Sequence, residues 1–100
     1  MTVIAQVVLR DTTKQQYDEL RAKAGWLEDP PVGGHAHLTW WEGADCHNVD
    51  AWESEDALNT FAGTRLAEAM AAVGLTTAPE IAVHEAHEVF VPNARTLTAS

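Results

Sequence analysis

Much of what this chain can do is bounded by what it has little of. Its 100 residues include a single cysteine, Cys46. That excludes an internal disulfide framework and any cysteine cluster around zinc. Basic residues are scarce, six Lys and Arg against fifteen Asp and Glu, for a formal charge of −9. Such a surface repels phosphate backbones, which argues against nucleic acid and anionic membranes as partners. Arg10, Arg21, Arg65 and Arg95 form no cluster suited to a phosphate, and there is no glycine-rich phosphate loop. No apolar run approaches the ~18 residues of a membrane span. The opening stretch, residues 3–9, is short, contains Gln6 and lacks preceding basic residues, so it does not read as a signal peptide. A soluble, acidic domain of a reducing compartment remains, most simply cytoplasmic. One domain of this size buries only about 60–68% of its unfolded surface. Its core is thin unless a second chain contributes.

What is present divides into alternating elements. Residues 3–10 are apolar and β-branched until Asp11-Thr12-Thr13 stops them, the pattern of a strand. Thr12 or Thr13 caps a helix, with Gln15 or Gln16 closing a capping box. Tyr17, Leu20, Ala24 and Leu27 form its apolar stripe. The segment from Glu28 to Gly34 is a loop by composition. Two extended segments, 35–42 and 46–53, flank Gly43-Ala44-Asp45 and make a hairpin. Ser54 caps a second helix, with Glu55 and Asp56 at the positive end of its dipole. Leu58, Phe61, Leu66, Ala69, Met70 and Val73 give it one apolar face, and Gly74 stops it. A last strand is expected over 80–91, ended by Pro92. The order is βαββαβ, the α+β ferredoxin-like pattern of a four-stranded antiparallel sheet with two helices on one face. Residues 1–92 form this domain, with 93–100 a loose tail.

Strand alternation sorts the hairpin into two sets. Ala36, Leu38, Trp40, Val49 and Ala51 are apolar and are expected beneath the helices. His35, His37, Thr39 and Trp41 share the opposite face with Cys46, Asn48, Asp50 and Trp52. With Gly43-Ala44 as a two-residue turn, Trp41 opposes Cys46, His37 opposes Asp50 and His35 opposes Trp52. A four-residue loop instead puts His37 against Trp52 and Thr39 against Asp50. The membership of each face is the same in both registers. A face with two tryptophans, two histidines and a carboxylate is too apolar for water and too polar for a dry core. A homodimer in which two sheets close over a shared cavity resolves this.

The passage Val49-Asp50-Ala51-Trp52-Glu53-Ser54-Glu55-Asp56-Ala57-Leu58 resembles the strand-to-helix segment of the dimeric α/β-barrel superfamily, in its antibiotic-biosynthesis-monooxygenase-like branch. The resemblance spans residues 3–91. It implies a dimeric α/β barrel, and an activity that ranges within the superfamily from cofactor-free oxygenation and polyketide cyclisation to haem degradation. Gly34-His35-Ala36-His37 and the strand from Val83 to Val89 sit where relatives carry pocket histidines. Relatives with monooxygenase or haem chemistry place a histidine on the second helix, nine or ten residues after the tryptophan. Phe61 and Ala62 stand there in this chain, which argues against haem degradation and puts the standard monooxygenase apparatus in doubt.

His37 with Asp50 is the leading catalytic pair. A carboxylate beside an imidazole fixes its tautomer and orientation and makes it a general base for an acidic C–H or a phenol. The plainer reading is a cavity histidine satisfied by a carboxylate. His35, Trp41, Trp52 and His87 are the expected substrate-binding residues, the two indoles serving as flat walls for a planar ligand. Packing alone also accounts for the indoles. Between His84 and His87, which point to opposite sides of a regular strand, the resemblance favours His87. His35-x-His37 could chelate a divalent metal, with Asp50, Cys46 or a histidine of the last strand as a third ligand, but no ligand stands at a diagnostic spacing. The expected protein is a small enzyme without an organic cofactor or metal, monooxygenase- or cyclase-like, acting on an aromatic or polyketide-like metabolite. A non-catalytic binding or accessory protein, and a metal site on His35 and His37, are the alternatives.

Overall fold

The computed structural model describes residues 1–98. Strand β1 (Val3–Leu9) leads into helix α1 (Lys14–Ala24), followed by the hairpin β2 (Gly34–Glu42) and β3 (Asp45–Trp52). Helices α2 (Glu55–Phe61) and α3 (Ala67–Ala72) come next, joined by a π-helical segment over Ala62–Leu66. Strand β4 (Glu80–Glu85) closes the sheet, whose order is β2-β3-β1-β4 with every neighbouring pair antiparallel. This is the βαββαβ architecture expected from the sequence. No helix of the described residues is long and apolar enough to cross a membrane.

Local chemistry sets the boundaries. The Thr13 side chain accepts from Gln16 N–H while Gln16 Oε1 accepts from Thr13 N–H, so the capping box is complete. Gly25 ends α1 in the left-handed region at φ 71°. Ser54 caps α2 by accepting from Ala57 N–H. The second helical stretch departs from expectation in its middle. Phe61, Ala62, Leu66 and Ala67 all keep right-handed helical angles, so one helix runs through, widened by a π turn. Inside it the Thr64 hydroxyl donates to Thr60 O at 2.6 Å, competing with the backbone for that carbonyl.

The hairpin adopts the two-residue turn, with Trp41 opposite Cys46 and His37 opposite Asp50. At its far end the expected pairing of His35 with Trp52 gives way to a bulge: Gly34 pairs with Trp52 and Ala36 with Ala51. At this point a Cβ on Gly34 would lie 3.2 Å from Pro31 Cγ and 3.3 Å from Pro31 O, tight contacts that glycine avoids, with the Trp52 ring at a packing distance of 3.6 Å. Strand β4 stops at Glu85, six residues before the expected end. Its neighbour β1 begins at Val3, and the last ladder bond runs from Ala86 N–H to Thr2 O. Beyond that the chain has no partner strand, and residues 86–98 form neither helix nor strand. The last two positions of the expected 93–100 tail lie outside the described residues.

One expectation is reversed. Apart from His35, which falls in the bulge, the two parity sets are as read, but the helices cover the other one. The core holds Val3, Ala5, Val7 and Leu9 of β1 with Cys46 and Trp52 of β3, under Tyr17, Leu20, Ala24, Leu58, Ala69 and Met70. His37, Thr39, Trp41, Asn48 and Asp50 share that helix-facing side. Leu38 and Trp40, expected in the core, lie on the open sheet face, 60% and 42% exposed. Burial of β1 decides the matter: its odd positions are wholly apolar, while Gln6 interrupts the even set. The four buried β1 residues pair across with Trp52, Asp50, Asn48 and Cys46, and that fixes which face the helices cover.

Candidate functional site

Beneath α1, at the edge of the sheet, a chain of hydrogen bonds runs through His37. Its Nδ1 lies 2.6 Å from Asp50 Oδ1 on the adjoining strand, the directly opposed pair of the hairpin. Asp50 Oδ2 accepts from Trp52 Nε1–H at 3.2 Å, so the carboxylate is tied at both oxygens. A carboxylate only accepts, and His37 Nδ1 therefore carries the proton it shares with Asp50. The other ring nitrogen, Nε2, faces two hydroxyls, Tyr17 Oη and Thr39 Oγ1, each at 2.8 Å. Thr39 in turn donates to Asn48 Oδ1 at 2.7 Å, and Asn48 Nδ2–H donates to Val7 O at 3.1 Å.

Aromatic rings enclose this chain. The Tyr17 phenol is parallel to the imidazole, 6° between planes with centroids 6.2 Å apart. Trp26, just past the Gly25 cap, stands edge-on over His37 at 5.4 Å and touches Phe61 at 6.4 Å. Phe61 also packs against Trp52, at 5.5 Å. Burial pushes the Tyr17 phenol up, against a smaller opposite effect of the Thr39 hydrogen bond, so it is a protonated donor at neutral pH. Burial likewise raises the Cys46 thiol, which is fully covered. Asp50 is mostly buried, 13% exposed, whereas the His37 imidazole is 33% exposed at the chain's edge. Solvent or a ligand reaches the ring without entering the core.

Of the residues singled out in the sequence, His37, Asp50 and Trp52 meet. Trp52 is buried, with no flat face open to a ligand. Trp41 belongs to the same side through Tyr17, whose ring it meets edge-on at 5.6 Å, and its indole N–H donates to Thr12 O. Beside it opens a surface concavity of about 530 Å³, walled also by Thr12, Thr13, Lys14 and Gly43. His35 falls in the bulge and is exposed, outside the chain of hydrogen bonds. His87 lies beyond the end of β4 and is exposed. His84, not His87, stands on the strand, on the open face beside Gln6 at 3.1 Å. Among the described residues, no three His, Cys, Asp or Glu side chains gather as a metal centre requires. Both nitrogens of His37 are engaged by protein groups, and His35 lies outside that chain.

Tyr17, Thr39, Asn48 and Trp26 are the members that sequence reasoning assigned no role. Tyr17 read as one residue of a core stripe. A signal was present: it is the only tyrosine of the chain, and a buried phenol needs a polar partner beneath it.

No protein-family model matches the chain, and no curated protein does. Solved structures do. A protein of unknown function from Nitrosomonas europaea superposes with a TM-score of 0.66 at 22% identity, covering 94% of this chain and 98% of its own. An antibiotic-biosynthesis-monooxygenase-like protein from Chloroflexus aurantiacus gives 0.64 at 14% identity, over 90% and 97%. SnoaB, a cofactor-independent oxygenase from Streptomyces nogalater, gives 0.62 at 12% identity, over 92% and 97%. The chain has the fold of antibiotic-biosynthesis-monooxygenase-like proteins, as the strand-to-helix resemblance implies.

Proposed function

We propose that the protein is a small cofactor-independent enzyme, monooxygenase- or cyclase-like, in which His37 oriented by Asp50 is the general base. The observation that supports this is the bonded chain Asp50–His37–Tyr17, with a part-exposed imidazole at one end of an aromatic enclosure. The carboxylate holds the tautomer whose Nε2 is free to take a proton, and it stabilises the imidazolium that results. Nε2 already receives the Tyr17 hydroxyl, so a substrate proton arrives through that phenol: Tyr17 passes its own proton to Nε2 and takes one from the substrate. An acidic C–H or phenol flanked by an aromatic ketone suits such a base. The carbanion left behind adds to dioxygen, or attacks a carbonyl of its own chain to close a ring. Trp26, Trp41 and the concavity beside Trp41 give planar surfaces for an aromatic or polyketide-like molecule. That one fold neighbour is a cofactor-independent oxygenase agrees with this reading by analogy.

The test is dioxygen uptake and product mass over a panel of polyphenolic ketones, with wild type beside His37→Ala. Turnover is expected to vanish in the variant with the fold intact. Equal kinetics in the two proteins would remove the mechanism.

The same geometry favours one other reading. Both hydroxyls at Nε2 occupy the atom a base would use, as in a binding protein whose histidine is purely structural. Saturable quenching of tryptophan fluorescence by those ketones, without product, identifies that case.

A homodimer completes the proposal, on a different face from the one the sequence suggested. The open side of the sheet presents Leu38, Trp40, Val49, Val8 and Ala82 among Gln6, His47, His84 and Glu80, a mixed surface with exposed large apolar side chains that a second copy would cover. Light scattering after size exclusion is expected to give twice the chain mass of 10.9 kDa. One chain mass at micromolar concentration would sink the dimer.

A further inference from the structure

The protons around His37 can be counted, and the count shows a vacancy for one more. Asn48 donates through Nδ2 to Val7 O, which turns its Oδ1 toward Thr39. An amide oxygen only accepts, so the single Thr39 hydroxyl proton points to Asn48, at 2.7 Å. Thr39 Oγ1 is thereby left as an acceptor facing a triangle. Its corners are His37 Nε2, Tyr17 Oη and Thr39 Oγ1, with sides of 2.8, 2.8 and 3.2 Å. In the neutral imidazole, with Nδ1–H given to Asp50, the Tyr17 hydroxyl holds the only proton in that triangle. It bonds to Nε2, and the lone pairs of Nε2 and Thr39 Oγ1 face each other at 2.8 Å without a proton between them.

Adding one proton repairs this. Nε2–H then donates to Tyr17 Oη, Tyr17 O–H turns to Thr39 Oγ1, and Thr39 O–H continues to Asn48 Oδ1. From the imidazolium outward every step runs donor to acceptor, Nδ1–H to Asp50 on one side and Nε2–H through Tyr17, Thr39 and Asn48 to Val7 O on the other, and aligned chains of this kind strengthen one another. Bonds balance: the Tyr17 O–H breaks as the N–H forms at Nε2, a proton from substrate or solvent restores the Tyr17 O–H, which then points to Thr39 Oγ1, and no electron is transferred.

We propose that Thr39, held by Asn48, is a positioning residue for proton uptake, keeping an acceptor ready for the proton that His37 receives. This rests on the reading of His37 as a base, and it adds that the site is built for the protonated imidazole and not only for the neutral one. The neighbouring groups agree with a local device. Asp50 on β3 is the charged partner of the ring. Across the phenol, Arg21 of α1 stands 6.0 Å from the Tyr17 centroid, and Cys46 of β3, beside Asn48, is raised by burial and so a neutral thiol. Trp26 and Phe61, from the loop and α2, bring no charge.

The experiment is a nitrogen-15 NMR titration of the His37 ring in the free protein, for wild type, Thr39→Val, Thr39→Ala and Thr39→Ser. Removing the hydroxyl in valine or alanine is expected to lower the proton affinity of Nε2 by about tenfold, one pH unit. Serine, which keeps the oxygen, is expected to restore most of it. Valine matches threonine in shape, and alanine separates loss of the hydroxyl from any repacking. Identical titrations in wild type and both hydroxyl-free variants overturn the proposal, as does a serine variant that behaves like valine. Because the titration needs no substrate, a shifted curve in a protein without turnover leaves the proton circuit standing and removes only the enzymatic reading.

Discussion

Asp50 grips His37 by the ring nitrogen farther from α1, with Oδ1 2.6 Å from Nδ1, and it is itself held by Trp52 through Oδ2. The carboxylate thus sets both the tautomer and the tilt of the imidazole. Asp50→Asn keeps the size and one acceptor but removes the negative charge that an imidazolium needs. Turnover is expected to fall by about a hundredfold or more, in the range of a general-base contribution. The fold should survive, because the Trp52 N–H retains an acceptor in the amide oxygen. Steady-state rates and a circular dichroism melt check both halves, and a variant with wild-type turnover would remove Asp50 from the mechanism.

The sequence made the chain order, both helix caps and the hairpin turn legible, because each rests on neighbours a few residues apart. Thr13 with Gln16 and Ser54 with Ala57 are local bonds, and Gly43-Ala44 is a local turn. The sharing of one face by His37, Asp50 and Trp52 was legible as well, since alternation is a property of the backbone. Which side the helices cover was not. Each hairpin set holds a tryptophan from the Trp40-Trp41 pair, so apolarity there does not decide the side. The decision lies in β1, two strands from His37, where Ala5 sits opposite Asp50 and Val7 opposite Asn48. The reach of β4 was illegible for a related reason. Its end is set by where β1 begins, and nothing in residues 80–91 records that.

Gly33 and Gly43 both lie in the left-handed region, at φ 83° and 60°, yet they differ in surroundings. An alanine Cβ at Gly43 meets nothing within 4 Å, whereas at Gly33 it would come within 2.8 Å of the Ala57 Cβ and 3.3 Å of Glu53 Oε2. Gly43→Ala should therefore cost only the backbone strain, about 1–2 kcal/mol. Gly33→Ala adds a clash against α2 and should cost more, about 3 kcal/mol in all. It also strains the bond from Glu53 N–H to Gly33 O, which is 2.7 Å. Urea denaturation of the two variants gives the comparison, and equal losses would contradict the close approach of the 25–33 loop to α2.

Arg10 bridges two strands, its Nε 2.8 Å from Glu80 Oε2 and its Nη1 2.9 Å from Asp45 Oδ2. The Asp11 backbone N–H and the guanidinium hold the Asp45 carboxyl below its usual range, and the guanidinium does the same to Glu80. Folded values depressed in this way stabilise the protein above the unfolded carboxylate pKa and lose that stabilisation as pH falls through the folded values. Arg10→Ala should therefore lower the Tm at neutral pH, and the gap to wild type should close as the pH drops below the ordinary carboxylate range. Added salt should also narrow the gap at pH 7, since Arg10 and Glu80 are exposed and Asp45 is partly so. A gap independent of pH and salt would show that the arginine acts by packing.

Arg65 reaches from the π turn to the segment that carries Trp26. Its Nη2 donates to Ala24 O and to Asp29 O, both at 2.8 Å, and its guanidinium lies 5.5 Å from the Phe61 ring. Two carbonyls on either side of the Gly25 cap are thereby pinned to one cation, and Trp26 sits between them in sequence with its ring over His37. In a regular α-helix the residues after Thr64 would be rotated relative to this placement, so the π turn and the clamp go together. Arg65→Ala should destabilise the protein by about 1–3 kcal/mol, the loss of charge-assisted bonds to one part-buried and one exposed carbonyl. The effect should be uneven: amides of 25–33 should exchange faster by a larger factor than those of the sheet, because Glu53 N–H still anchors the loop only at Gly33. Arg65→Lys keeps the charge but offers one ammonium in place of a planar fork, and should recover only part of the protection. Hydrogen exchange by mass spectrometry over the loop peptides checks this. Uniform loss of protection across the chain would mean that Arg65 supports the fold as a whole and not the position of Trp26.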